Sequence, residues 1–189
     1  MRRRVLLSAF ALAGCAAEGL TTPVPAQLPR DSIEGAGDPT RAAVSRVAYI
    51  FANQSMLHGR PGEAARAIAD MEFLASALPS DPRYQNRDPL LPVLLAQAKT
   101  EWRQALGIAP TVPAQEVIDH LYAVWRAIRA GDQAAAVAAL PPNLIPPGGQ
   151  GALAKLANLP PLPRTAEAAN AAARVQSQIN LPAFPNRFL

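Results

Sequence analysis

The chain has 189 residues, half of them hydrophobic and 17% charged, with one cysteine, two histidines and a formal net charge of +4. This length is one domain's worth of chain with room for a sizeable core, and a lone cysteine excludes an intrachain disulfide and any paired-thiolate chemistry. Three of the 18 basic residues are Arg2, Arg3 and Arg4, ahead of every acid, and the remaining 15 face 14 acids; the rest of the chain is close to neutral and makes no case for a nucleic-acid surface, which needs a basic face or stripe.

Arg2–Arg4 precede a short, largely apolar run, Val5 to Ala13. It is far shorter than the roughly 20 residues that cross a bilayer core. A charged start, a short apolar run and small residues after it describe an export signal. The run closes on Leu12-Ala13-Gly14-Cys15, and the cysteine is the only one in the chain. This quartet resembles the lipobox of bacterial lipoproteins. The resemblance covers about the first 15 residues and implies that the signal, residues 1–14, is removed. It further implies that the Cys15 thiol and the new amino end are acylated, anchoring the chain in a membrane of the cell envelope, facing the periplasm. A thiol is the strongest nucleophile available for thioether attachment, and two or more acyl chains hold firmly where one does not. Ala16, where an acid would mark inner-membrane retention, points to the outer membrane. The arginine run also resembles a twin-arginine export signal.

Residues 15–37 read as a lipidated start and flexible tether, because Pro, Gly, Thr and small residues dominate without a period. The helical domain follows over 38–180. Asp38-Pro39 opens a first helix as cap and first-turn proline, and Ala43, Val44, Val47, Ile50 and Phe51 form its stripe to about residue 57. Pro61 opens a second, running to about Leu78. Residues 79–89 are a loop rich in Pro, Asp and Asn. The third helix spans about 90–106 and stops at Gly107; the fourth spans about 113–130, with Val117, Leu121, Val124 and Ile128 in one row. Shorter helices follow over 133–140, 149–158 and 165–179, and 181–189 is an extended tail. No stretch alternates as a strand does. The expected fold is all-α, an irregular antiparallel bundle of five to seven helices. The first two helices and the next two are each expected to pair as hairpins; a short tetratricopeptide-like array is the alternative.

No zinc-protease, phosphate-loop or nucleophile-elbow motif is present, and no cofactor or metal is expected. His120 follows Glu116 by one helical turn; with His58 they are the candidates for a metal-dependent or hydrolytic site, against the plainer reading of a helix-end residue and an exposed pair. Glu63, Arg66 and Asp70 read as a surface ladder of salt bridges. Trp102, Trp125, Arg126 and Arg129 are candidates to wall a groove for a small or polymeric envelope ligand; equally, the two tryptophans suit a core between the third and fourth helices. Tyr84, flanked by Arg83 and Arg87 in the polar loop, is the candidate surface for a protein partner. The sequence therefore suggests a lipid-anchored envelope protein acting by protein–protein contact or in a structural role, with ligand binding and hydrolysis as alternatives.

Overall fold

The computed structural model describes residues 25–33 and 37–180. The expected signal, Cys15, the tether up to residue 24 and the tail over 181–189 lie outside those residues. Among the described residues there are seven α-helices and no strand: α1 (Pro39–Ala52), α2 (Pro61–Ala77), α3 (Leu91–Leu106), α4 (Ala114–Arg129), α5 (Gln133–Ala138), α6 (Gly149–Ala157) and α7 (Pro163–Asn180). None is long and apolar enough to cross a membrane.

The helix ends follow their local chemistry. Asp38 accepts from the backbone N–H of Thr40 (2.9 Å) and Arg41 (3.3 Å), with Pro39 in the first turn. Asp132 caps α5 through the N–H of Ala135. Gly107 ends α3 at φ 80°, the left-handed conformation in which a side chain is disfavoured. The first helix stops earlier than its stripe suggests: the backbone departs from helical geometry at Asn53, and Gln54–Leu57 form a 3₁₀ turn.

α2 is the centre of the bundle. Residues on every side of it are buried, from Gly62 and Ala64 through Ile68, Met71 and Leu74; a helix enclosed all round has neighbours on all faces. It packs most extensively against α4 and also touches α1, α3 and α6, while α7 covers α1 and α3. The α2–α4 crossing is antiparallel: Gly62 meets Ile128, Arg66 meets Trp125 and Asp70 meets Tyr122. A Cβ on Gly62 would lie 3.2 Å from the Ile128 side chain, so the small residue sets the approach of the two helices.

Two expectations are corrected. α3 and α4 do not pair as a hairpin; α3 packs on α7 and α2, and α4 on α2 and α5. Arrangement around a central helix is a bundle, not a repeat array. Residues 25–33 are not free tether either. They form a strap on α2 and α4: the Ala26 N–H donates to the Ser76 hydroxyl, Gln27 exchanges bonds with Gln115, and Arg66 donates to the Ser32 carbonyl.

Candidate functional site

The strap and the last turn of α4 border a shallow, open cleft of about 290 Å³ lined by Asp31, Trp125, Arg126, Arg129 and Ala130. Trp125 is held by three neighbours. The Arg66 guanidinium lies 4.3 Å and that of Arg129 4.8 Å from its ring centroid, and Tyr122 meets it edge-on at 5.7 Å. These are cation–π distances. The ring is only 3% exposed, so no further group stacks on it; the indole is a platform for arginines.

Arg126 donates from Nε and Nη2 to the two carboxylate oxygens of Asp31, both at 2.6 Å. This bond holds the Asp31 carboxyl below the ordinary carboxylate range, ahead of a smaller opposing effect of burial, and raises Arg126. Arg129 makes no ion pair among the described residues. Three buried side-chain polar atoms in the described residues lack a hydrogen-bond partner: Ser32 Oγ, Arg66 Nε and Trp125 Nε1. Arg66 touches both of the other residues, so all three sit in one neighbourhood. Such atoms are rare in folded proteins and cost about 1–3 kcal/mol each when unpaired.

Two further polar clusters are buried in the bundle. Asp70 accepts from Arg46 Nε (2.6 Å) and from the Tyr122 hydroxyl (2.6 Å). Burial pushes its carboxyl above the ordinary range despite Arg46, and pushes the Tyr122 hydroxyl up as well. Glu72 accepts from Trp102 Nε1 (2.8 Å), Arg103 Nε (2.6 Å) and Arg103 Nη2 (2.9 Å), with Lys99 Nζ 3.6 Å away. Arg103 also donates to the carbonyls of Ala109, Pro110 and Val112, fastening the turn after α3.

These contacts revise several expectations. Glu63, Arg66 and Asp70 form no ladder: Asp70 is buried on Arg46 and Tyr122, while Arg66 serves Ser32 and Trp125. Trp102 walls no groove; it is fully buried on Glu72. Both tryptophans are enclosed against α2 rather than between α3 and α4. Trp125, Arg126 and Arg129 do share a cleft; Asp31 completes its lining and Arg66 adjoins it through the Trp125 ring, and neither is foreseen from the sequence. Tyr84 is 4% exposed and donates to Gln176 on α7, so it is not a surface contact. Arg83 is tied to Asp81 and Asp38, and Arg87 is exposed. His120 Nδ1 bonds the Ala139 carbonyl at 2.8 Å, joining α4 to the end of α5. His58 lines a different cleft, with Gln54, Leu57, Ala157 and Leu159. Among the described residues no three His, Cys, Asp or Glu side chains gather as a metal site.

Compared with family models, curated proteins and solved structures, the chain has no match in any of the three.

Proposed function

We propose that this chain is a lipid-anchored, periplasm-facing protein of the cell envelope whose helical domain is a binding module for an anionic ligand. The anchor rests on the Leu12–Cys15 quartet behind its short apolar run. The binding role rests on one observation: Arg126 and Arg129 line a surface cleft with Trp125, whose ring carries both Arg129 and Arg66, and Trp125 and Arg66 each keep a buried donor without a partner. Guanidinium donors and an indole N–H recognise negative charge and offer nothing to a cation.

The anchor is tested by the mass of Cys15 in purified protein and by fractionation. Acyl mass on Cys15, and loss of the protein from membranes in Cys15→Ser, are expected; an unmodified thiol in membrane-bound protein rules the anchor out. The binding role is tested by melting temperature in phosphate, succinate and citrate at matched ionic strength. At least one is expected to raise the melting temperature of the wild type and to have less than half that effect on Arg129→Gln. Equal response of both proteins to every anion rejects it.

A second reading, contact with another envelope protein, is supported by a different surface. Leu90 and Val93 are 64% and 51% exposed at the start of α3. The loop before them is stiffened by the Asp88 bond to the Leu90 N–H and by Tyr84–Gln176. Photo-crosslinking from position 93 in intact cells tests it: a discrete adduct lost in Leu90→Glu supports contact, and a bare monomer argues against it.

A further inference from the structure

The cleft beside Trp125 has a composition more specific than "anionic". We propose that it takes the phosphate group of a phosphomonoester and that Asp31 is the group's built-in stand-in; this rests on the binding-module reading above.

Donor geometry comes first. Asp31 already satisfies one Arg126 fork in the planar, two-oxygen manner of a carboxylate. Trp125 Nε1 is left over in the cleft wall, and Arg129 lies over the same ring; Arg66 Nε and the Ser32 hydroxyl are also unpaired, buried beside the cleft where the strap meets Arg66. One planar carboxylate cannot meet donors arriving from α2, from α4 and from the strap. A phosphate ester presents three acceptor oxygens in three directions.

Charge points the same way. Arg126 and Arg129 line the cleft, Arg66 lies against the Trp125 ring beside it, and Asp31 neutralises Arg126. Of the nearby acids, Asp70 is committed to Arg46 and Tyr122, and Asp119 acts on Arg126 from one side while bonded by Gln115. The excess of one to two positive charges matches the charge of about −1.5 to −2 on a phosphomonoester near neutral pH. Because Trp125 is almost fully covered, an aromatic part of the ligand has no ring to stack on. What is read is the phosphate itself, on a lipid headgroup or on a free ester. Pro25, where the strap begins, is ten residue steps from Cys15, a reach of about 35 Å at most. An acylated Cys15 would therefore keep the cleft close to a membrane surface, where either source is at hand.

The test uses ¹⁵N-labelled full-length protein in phosphatidylcholine nanodiscs, read at the two indole N–H resonances. The Trp125 signal is identified by its loss in Trp125→Phe; the Trp102 signal, bonded to Glu72, is the internal control. Glycerol phosphate, or phosphatidic acid added to the nanodisc, is expected to move the Trp125 resonance and leave Trp102 in place. Arg129→Gln should weaken the response about tenfold and Asp31→Asn should strengthen it several-fold, since a resident competitor has been removed. A response to phosphatidic acid at contents where free glycerol phosphate gives none assigns a lipid source; the reverse assigns a free ester. A shift with succinate but with neither phosphate probe overturns the phosphate assignment and leaves the binding module standing. No shift with any anion, in wild type or Asp31→Asn, overturns both, as does an equal shift produced by sodium chloride.

Discussion

Asp70 and Glu72 are two residues apart on α2, so their side chains leave the helix about 200° apart. Each is met from its own side: Asp70 by Arg46 and Tyr122, Glu72 by Arg103 and Trp102. Burying a carboxylate is costly unless its lone pairs are answered, and removing one partner of a buried pair costs about 3–5 kcal/mol because the other is stranded. Glu72→Ala is expected to lose about that much in urea unfolding. Replacing the pair together, Glu72→Leu with Arg103→Met, should recover only part of the loss, because Arg103 also holds three carbonyls of the following turn; full recovery would show those bonds to be idle. The titrating acids have opposite signs. Asp31 and Asp81 are lowered chiefly by their arginine bonds; at Asp38 burial opposes, and the Arg83 bond with two backbone N–H groups outweighs it. Their folded values lie below the unfolded ones, so their contribution is present above the ordinary carboxylate range and is lost as pH falls through the lowered values. Asp70 is raised by burial, so its contribution instead declines as pH climbs from the ordinary range toward its folded value. Urea midpoints across acid pH are expected to fall as pH drops, and Arg83→Gln should flatten that limb because Asp38 and Asp81 share this one partner. An unchanged slope would mean that these surface pairs contribute nothing measurable.

At the scale of the element, the crossing of α2 and α4 depends on how closely Gly62 lets Ile128 approach. Gly62→Leu overfills that contact and is expected to cost about 1–3 kcal/mol. Ile128→Ala should restore much of it by reopening the space; additive losses in the double variant would place the strain elsewhere. Helix boundaries were readable in the sequence because they are local: Asp38-Pro39, Gly107 and Asp132 each act within one turn. Partner choice was not, since it depends on faces meeting across long stretches of chain. The contact face of α7 is built from Ala168, Ala169, Ala171, Ala172 and Val175, too small to signal that the helix covers both α1 and α3. α2 buries alanines on every side, and its start at Pro61 and its length carry no sign of that. There the informative feature was the pair of acids inside an apolar run, the mark of partners waiting on other helices rather than of a solvated ladder.

Across the whole molecule, the same distance in sequence hid half of the candidate site. Trp125, Arg126 and Arg129 follow one another on α4 and could be named together, whereas Arg66 comes from α2 and Asp31 from a strap 95 residues before the arginine it binds. The strap's composition lacks a period and so suggests a tether; its attachment uses backbone groups and single side chains, which leave no periodic trace. This division of labour makes a statement about dynamics. α2 is enclosed by four helices and has no solvent-facing side on which to open alone, so its central amides, from Ile68 to Leu74, open only when the whole bundle does. The strap is held by a few bonds around buried Ala26 and Ser32, and its Asp31–Arg126 pair is open to solvent. Hydrogen exchange is therefore expected to be slowest at 68–74, with free energies equal to global unfolding, and fastest at 26–33, through local release that leaves α2 and α4 protected. Asp31→Asn should speed exchange in the strap and leave the α2 centre unchanged. Equal acceleration in both segments would mean that the strap is part of the cooperative core, and that a ligand displacing Asp31 would have to unfold the domain to bind.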